Sequence, residues 1–237
     1  MHSLDIEWIE IPAGPFKMGL SEEQALKLFG KSSWHGETPQ REIYLPRFFI
    51  SRYPVTCGQY VEFAEAAHPD WDITFQSEPE LEKHPVFESY HTAIDFCEWI
   101  EARLPTSEEW EKAARGTDGR LFPWGNWWDT NLGNFGQWER RNRTGGVKTV
   151  PVDSYPDGAS PYGVMDMMGN CYEWTTTPGR SGRYETYIIR GSDTDPTALT
   201  PRAHRVTGFI SGGVSPMSYP PNTGFRVVRD TPPDDAK

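Results

Sequence analysis

The chain is short of cysteine, of positive charge and of long apolar runs, and each shortage removes a class of function. Its three cysteines, Cys57, Cys97 and Cys171, are odd in number and widely spaced, with no CxxC pair. That argues against a disulfide framework and leaves buried free thiols as the expectation. Lysine and arginine number 23 against 34 aspartates and glutamates, a formal charge of -11. Affinity for phosphate backbones comes mostly from Lys and Arg, so no nucleic-acid partner is expected. The basic cluster Arg140, Arg141 and Arg143 reads as solvated surface. No apolar run approaches the roughly 20 residues of a membrane helix, and the opening Met-His-Ser-Leu-Asp-Ile-Glu lacks the basic and apolar regions of a signal peptide. The expectation is a cytoplasmic protein without membrane insertion, which is compatible with display on a larger assembly.

A further shortage is local. From Thr186 to Ala236 there is no Lys, Glu, Gln or Trp, and all ten tryptophans lie at or before Trp174. The stretch "RGSDTDPTALTPRAHRVTGFISGG", residues 190–213, is built from small, polar and apolar residues with several turn-formers. A Gly/Pro/Ser-rich loop would also be short of the missing types, so composition alone leaves an ordinary loop and a segment of restricted repertoire as two open readings.

What is present suffices for a core. With 237 residues, 36% hydrophobic and 14% aromatic, the chain fits one large domain. "IEWIEIPAGPFKMG" alternates apolar and polar residues up to a Pro-Ala-Gly-Pro turn and predicts a hairpin of two short strands. Ser21 caps a short helix with Ala25, Leu26 and Phe29 on one side. "REIYLPRFFISRYPVT" reads as strand, with Pro46 at an edge or bulge. Thr56 begins a helix carrying Tyr60, Phe63 and Ala67 at helical spacing, and residues 91–101 form another whose buried face holds Ile94, Cys97 and Ile100. "RLPTSEEWEKAARG", residues 103–116, is the clearest helix: Thr106 or Ser107 accepts first-turn N–H groups, acidic residues 108 and 109 suit the positive end, and Gly116 ends it. Residues 117–165 are dense in Gly, Pro, Asn and Trp, and predict long loops held by aromatic packing and polar contacts.

Seven stretches stand in register: "IPAGPFKMG", "ETPQREIYLPRFFISRYPVTCGQYVEF", "HPVF", "RLPTSEEWEKAARG", "FPWGN", "TVPVDSYPDGASPYGVMDMMGNCYEW" and "NTGFRVVRD". Their order and spacing resemble the formylglycine-generating, sulfatase-modifying factor family, from about residue 7 to residue 230. The resemblance implies an α+β, C-type-lectin-like fold with little regular structure, as a single domain.

It does not imply the family's chemistry. The family's oxidases bind copper through two cysteines a few residues after an R-G-G-S motif. Here Arg190, Gly191, Ser192 and Asp193 stand in place of the motif, and the cysteine positions fall on Asp195 and about Thr200. Neither supplies the thiolate that Cu(I) requires, so no copper and no formylglycine chemistry are expected. Members that use iron to form carbon–sulfur bonds draw their histidines largely from an additional helical bundle. This chain's histidines, at 2, 35, 68, 84, 91 and 204, show no closely spaced ligand pattern, and no iron is expected. A site assembled from His84, His91 and His204, or from carboxylates, is the alternative of a metal-dependent oxidoreductase; a fixed interaction or regulatory module is another.

The resemblance extends to variable proteins of diversity-generating retroelements, which carry their diversified residues between an R-G-G-S-like motif and a terminal G-F-R motif. Adenine-directed mutagenesis of Asn codons there yields no Lys, Glu, Gln, Trp or Met. Between Arg190 and Gly224 this chain uses only the permitted types, Met217 excepted. The resemblance thus points to a protein or other macromolecular ligand bound through residues 192–222, with Asp193, Thr194, Asp195, Thr197, Leu199, His204, Val206, Phe209, Ile210 and Tyr219 as its contacts. These mix apolar anchors with adaptable hydrogen-bonders, as paratopes do, and Phe209 and Tyr219 are the expected anchors. An inward-packing strand is the competing reading for Phe209 and Ile210. Arg190, Arg202, Arg205, Gly224, Phe225 and Arg226 are framework by the same resemblance.

The family also implies a structural Ca²⁺, held by the Asp166 and Glu173 carboxylates and the Gly169 and Cys171 carbonyls. Oxygen donors suit this hard cation. A capping role for Glu173 is the alternative. A second family site would begin at Asn134 and Phe135, but its acidic partner falls near Asn142 or Thr144, so that site is not expected.

Overall fold

Strand β4 (Phe48–Ser51) is buried at every position, because it runs between β1 (Trp8–Ile11) and the short β8 (Val228–Arg229), antiparallel to both. It thereby joins the beginning and the end of the chain. The structure, a computed structural model, describes residues 4–29, 38–135, 149–179, 186–191 and 222–233. A second sheet pairs β2 (Gly14–Met18) with β3 (Arg41–Leu45). The third has the order β6 (Tyr187–Gly191), β5 (Tyr172–Pro178), β7 (Thr223–Gly224), with β6 antiparallel and β7 parallel to β5.

The expected hairpin over residues 6–19 is therefore wrong in its pairing. Both strands exist, but Pro12–Ala13 sends them into different sheets, each completed by a partner strand that lies beyond α1 in sequence. The single strand expected through Pro46 is likewise two strands in two sheets. Proline offers no N–H to a ladder, so the break at Pro46 passes the chain from one sheet to the next.

The helices follow their caps. Ser21 and Gln24 exchange side-chain-to-backbone bonds ahead of α1 (Glu22–Phe29). Ala25 is buried as expected, whereas Leu26 is 55% exposed. Thr56 and Gln59 form a reciprocal capping box on α2 (Cys57–Ala67), whose inward face is Cys57, Tyr60, Phe63 and Ala64, so Ala67 lies outside. Ser89 caps α3 (Tyr90–Trp99); Ala93, Phe96 and Cys97 point inward, and Ile94 is half-buried. Thr106 and Glu109 cap α4 (Ser107–Arg115), and Gly116 ends it at φ 68°.

One apolar cluster lies beneath α2 and α3, with Trp174, Ile189, Phe225 and Val227. Another joins Phe48, Ile50, Trp110, Ala113, Phe122 and Met167. Aromatic contacts hold part of the irregular region, as expected: Phe122 stacks on Trp124, and Trp128 lies 4.7 Å from Phe135. All three cysteines are buried and free. Burial pushes the Cys57 thiol up to about 11 and the Cys97 thiol well above its usual range.

α4 departs most from its sequence pattern. Glu111, Lys112 and Arg115 all carry charge, yet each is at most 1% exposed. Lys112 donates to the carbonyls of Pro12 and Gly14 at 2.6 and 3.0 Å, and Arg115 reaches those of Gly19, Gly119 and Arg120. Charged side chains here tie down loop backbone that no ladder satisfies.

Candidate functional site

The ten nominated ligand contacts, Asp193, Thr194, Asp195, Thr197, Leu199, His204, Val206, Phe209, Ile210 and Tyr219, lie outside the described residues. So do Arg202 and Arg205. The structure does describe where their segment leaves the fold and where it returns. Gly191 pairs with Tyr172 on one side of β5, and Thr223 pairs with the same residue on the other. Adjacent strands are about 4.8 Å apart, which places the two exits roughly 10 Å from each other. Asn222, at φ 63°, turns the chain back, and its carbonyl accepts from Tyr172 N at 2.9 Å.

Each exit is anchored by a wholly buried arginine. Arg190 is ion-paired with Glu111, which also takes Arg115 Nη1 at 2.5 Å and Gly19 N at 2.7 Å. Arg226 donates from Nε to Glu173 Oε2 at 2.6 Å and from Nη2 to Oε1 at 2.7 Å. It also reaches the carbonyls of Ser51 at 3.1 Å and Met165 at 2.9 Å. At Arg226, bidentate geometry and additional carbonyl partners compensate much of the cost of removing the charge from water. Gly191, at φ 80°, is required by its backbone conformation and by closeness: a Cβ there would sit 3.1 Å from Cys171 O and 3.5 Å from the Trp110 ring.

Of the four nominated calcium ligands, Glu173 lies in β5, and Asp166, Gly169 and Cys171 lie in the loop that leads into it. Asp166 is 6% exposed and carries φ 53°. Loss of water raises its carboxyl to about 7, with Glu173 and Asp153 adding to the rise, while the hydrogen bond from Asn170 and the charge of Arg226 act against it. A hard cation would relieve that burial. Of the Glu173 oxygens, Oε2 already accepts Arg226 Nε and Trp110 Nε1, and Oε1 accepts Arg226 Nη2, which leaves one lone pair on Oε1. Gly169 O accepts Cys171 N at 2.8 Å. The donor set thus fits Ca²⁺ incompletely, and the rest of its six to eight ligands would be water.

Asn170 is fully buried at φ 67°. Its side chain bonds Asp166, Asn134 and both backbone groups of Val150, and its N–H reaches Asn134 O. It therefore fixes the fold on both sides of residues 136–148. Of the histidines nominated for a metal, His84 Nδ1 is 2.8 Å from Thr149 Oγ1, His91 is exposed on α3, and His204 is outside the described residues. Among the described residues, no three His, Cys, Asp or Glu side chains are placed to hold a metal.

This arrangement sits in a fold with known relatives. The sulfatase-modifying factor enzyme 1-like domain family matches the chain over residues 5–231. The chain belongs to that family. Inactive C-alpha-formylglycine-generating enzyme 2 of Mus musculus is 29% identical to it over 276 residues, covering 96% of the chain and 87% of the relative. Among solved structures, PvdO from Pseudomonas aeruginosa superposes with a TM-score of 0.72 at 23% identity, with 94% of each chain covered. Treponema denticola variable protein 1 superposes with a TM-score of 0.65 at 18% identity, with 95% of each covered. At these identities the likeness is one of fold, and the α+β, C-type-lectin-like architecture expected from the motifs is the one observed.

The residues that sequence reasoning missed are Trp110 and Glu111. In α4 both meet Arg190, and Trp110 also donates to Glu173, the acceptor of Arg226, but Glu111 carries the charge of a surface residue. Its i,i+4 relation to Arg115 was the one available signal, and that pattern usually marks an exposed face.

Proposed function

We propose that the chain is a ligand-binding protein that presents residues 192–222 from a fixed frame, and that the segment belongs to the diversified kind found in variable proteins. The observation that carries this reading is the fixing of both exits beside one residue, Tyr172, by the buried anchors Arg190 and Arg226. A rigid scaffold can carry a changing loop when the loop's own side chains contribute little to the core. The restricted repertoire from Thr186 to Ala236 supports the same reading, as does the fold shared with a variable protein. The proposed partner is a protein or another macromolecule, met through Asp193, Thr194, Asp195, Thr197, Leu199, His204, Val206, Phe209, Ile210 and Tyr219.

Segment exchange tests the proposal. Replacing residues 193–221 with the corresponding segment of another variable protein should leave the cooperative unfolding transition in place while changing which ligands are captured in a display screen. Loss of folding on every exchange, or an unchanged binding profile, would contradict it.

Calcium at Asp166, Gly169, Cys171 and Glu173 is a further proposal, supported by the deep burial of Asp166. It would act on stability. Added Ca²⁺ should raise the melting temperature of the chelator-treated protein, and Asp166→Asn should abolish that rise. An identical melt with calcium and with chelator would end this reading.

A further inference from the structure

We propose that Trp110 couples the two anchors, so that loosening either exit of the 192–222 segment loosens the other. Its functional meaning rests on the reading of that segment as a displayed surface; its structural content does not.

Trp110 is fully buried in α4 between the two ion clusters. Its indole N–H donates to Glu173 Oε2 at 2.7 Å, the same oxygen that accepts Arg226 Nε at 2.6 Å. Its ring centre lies 5.4 Å from the guanidinium carbon of Arg190, within cation–π range. Its ring atom Cζ2 lies 3.5 Å from where a side chain on Gly191 would begin. The next residue, Glu111, receives Arg190 directly.

One rigid side chain thus touches the first anchor by its face and, through its nitrogen, the carboxylate that holds the second. A displaced Arg190 removes the cation from the ring, frees the ring to shift, and takes the indole N–H away from Glu173. Arg226 then loses the fixed position of its acceptor. The same sequence runs in reverse from Arg226. A shared, fully desolvated network behaves as a unit, and its members are not independently removable. The β6–β5–β7 ladder also connects the two exits, but through backbone hydrogen bonds that do not depend on the side chain at 110. The two routes can therefore be separated.

For a protein whose 192–222 segment changes, coupled anchors mean that a substitution pulling on one exit is resisted at both. Trp110 is in this sense a positioning residue for the proposed binding surface.

Hydrogen exchange followed by mass spectrometry on the whole chain, without ligand, tests the coupling. Arg190→Lys should speed exchange about tenfold both at 187–191, its own strand, and at 223–228, beyond the other exit. In a Trp110→Phe background, which keeps a ring but removes the N–H donor, Arg190→Lys should still act at 187–191 and change 223–228 less than twofold. Unchanged exchange at 223–228 in the single variant, or equal transmission with Phe at 110, overturns the proposal. Should Arg190→Lys fail to fold, the urea dependence of native exchange in the unsubstituted chain serves instead. The two peptides are expected to share one opening transition, and separate transitions overturn the coupling. Since no ligand enters, failure here and failure of the binding reading are distinguishable.

Discussion

Arg226 holds both carboxylate oxygens of Glu173, at 2.6 and 2.7 Å, with neither side chain exposed to solvent. The pair closes the return end of the 192–222 segment against β5. Glu173→Gln leaves the guanidinium buried and uncompensated, and should cost about 3–5 kcal/mol in urea unfolding. The double variant Glu173→Gln/Arg226→Met should be less destabilised than the sum of the two single changes, because an unpaired charge is the larger part of the cost. Additive losses would mean that the two side chains do not act as a pair.

Gly191 allows a prediction at the other exit. Its φ of 80° and the 3.1 Å approach to Cys171 O leave no relaxed position for a methyl group. Gly191→Ala should lower stability by about 1–2 kcal/mol from the left-handed backbone conformation alone. A loss of under 0.3 kcal/mol by equilibrium unfolding would contradict the assigned backbone and its closeness to Trp110.

Glu88 supplies a pH dependence. It is 7% exposed. Its backbone carbonyl accepts from Trp174 Nε1 and its backbone N–H reaches Thr223 O, so it touches the return strand. Burial raises its carboxyl, against the opposing hydrogen bonds of Tyr60, Gln76, Ser89 and Thr92. The sign follows from linkage: with the folded value above the unfolded one, the folded chain keeps a proton that the unfolded chain has released. The contribution is fully present below the unfolded value, about 4.3, and is lost as pH rises through the folded one. The neighbouring Cys57 thiol, pushed up to about 11, stays neutral throughout that window. The stability difference between the unsubstituted chain and Glu88→Gln, measured by urea unfolding from pH 4 to pH 8, should therefore shift against the unsubstituted chain as pH rises. A shift in the opposite direction would show that hydrogen bonding outweighs burial at this carboxylate.

What could be read from sequence was local or carried by family motifs. Thr56 and Thr106 announced their helices because an N-cap needs only a hydroxyl and the next few N–H groups, whereas the cap at Ser89 was seen only in the structure. The pairing of β1 with β4 and of β2 with β3 was not legible, since alternation specifies a half-buried strand without naming its partner. The framework roles of Arg190 and Arg226 came from motif resemblance and agree with their complete burial. Their acceptors did not come with them. Glu111 stands beside Lys112 on a helix that reads as amphipathic, and only the packing of α4 against β2, β5 and β6 turns those charges inward. Nothing in the sequence singled out Trp110. Its role depends on a nitrogen meeting Glu173, which stands 63 positions later in the chain.

The most direct measurement is deep sequencing of this gene across its source population. The account predicts substitutions concentrated between Asp193 and Thr223, at codons derived from Asn, with Trp110, Glu111, Glu173, Arg190 and Arg226 unchanged and the rest of the chain nearly invariant. Variation spread evenly over the surface, with the 193–223 segment no more changeable than α1 or β3, would contradict it.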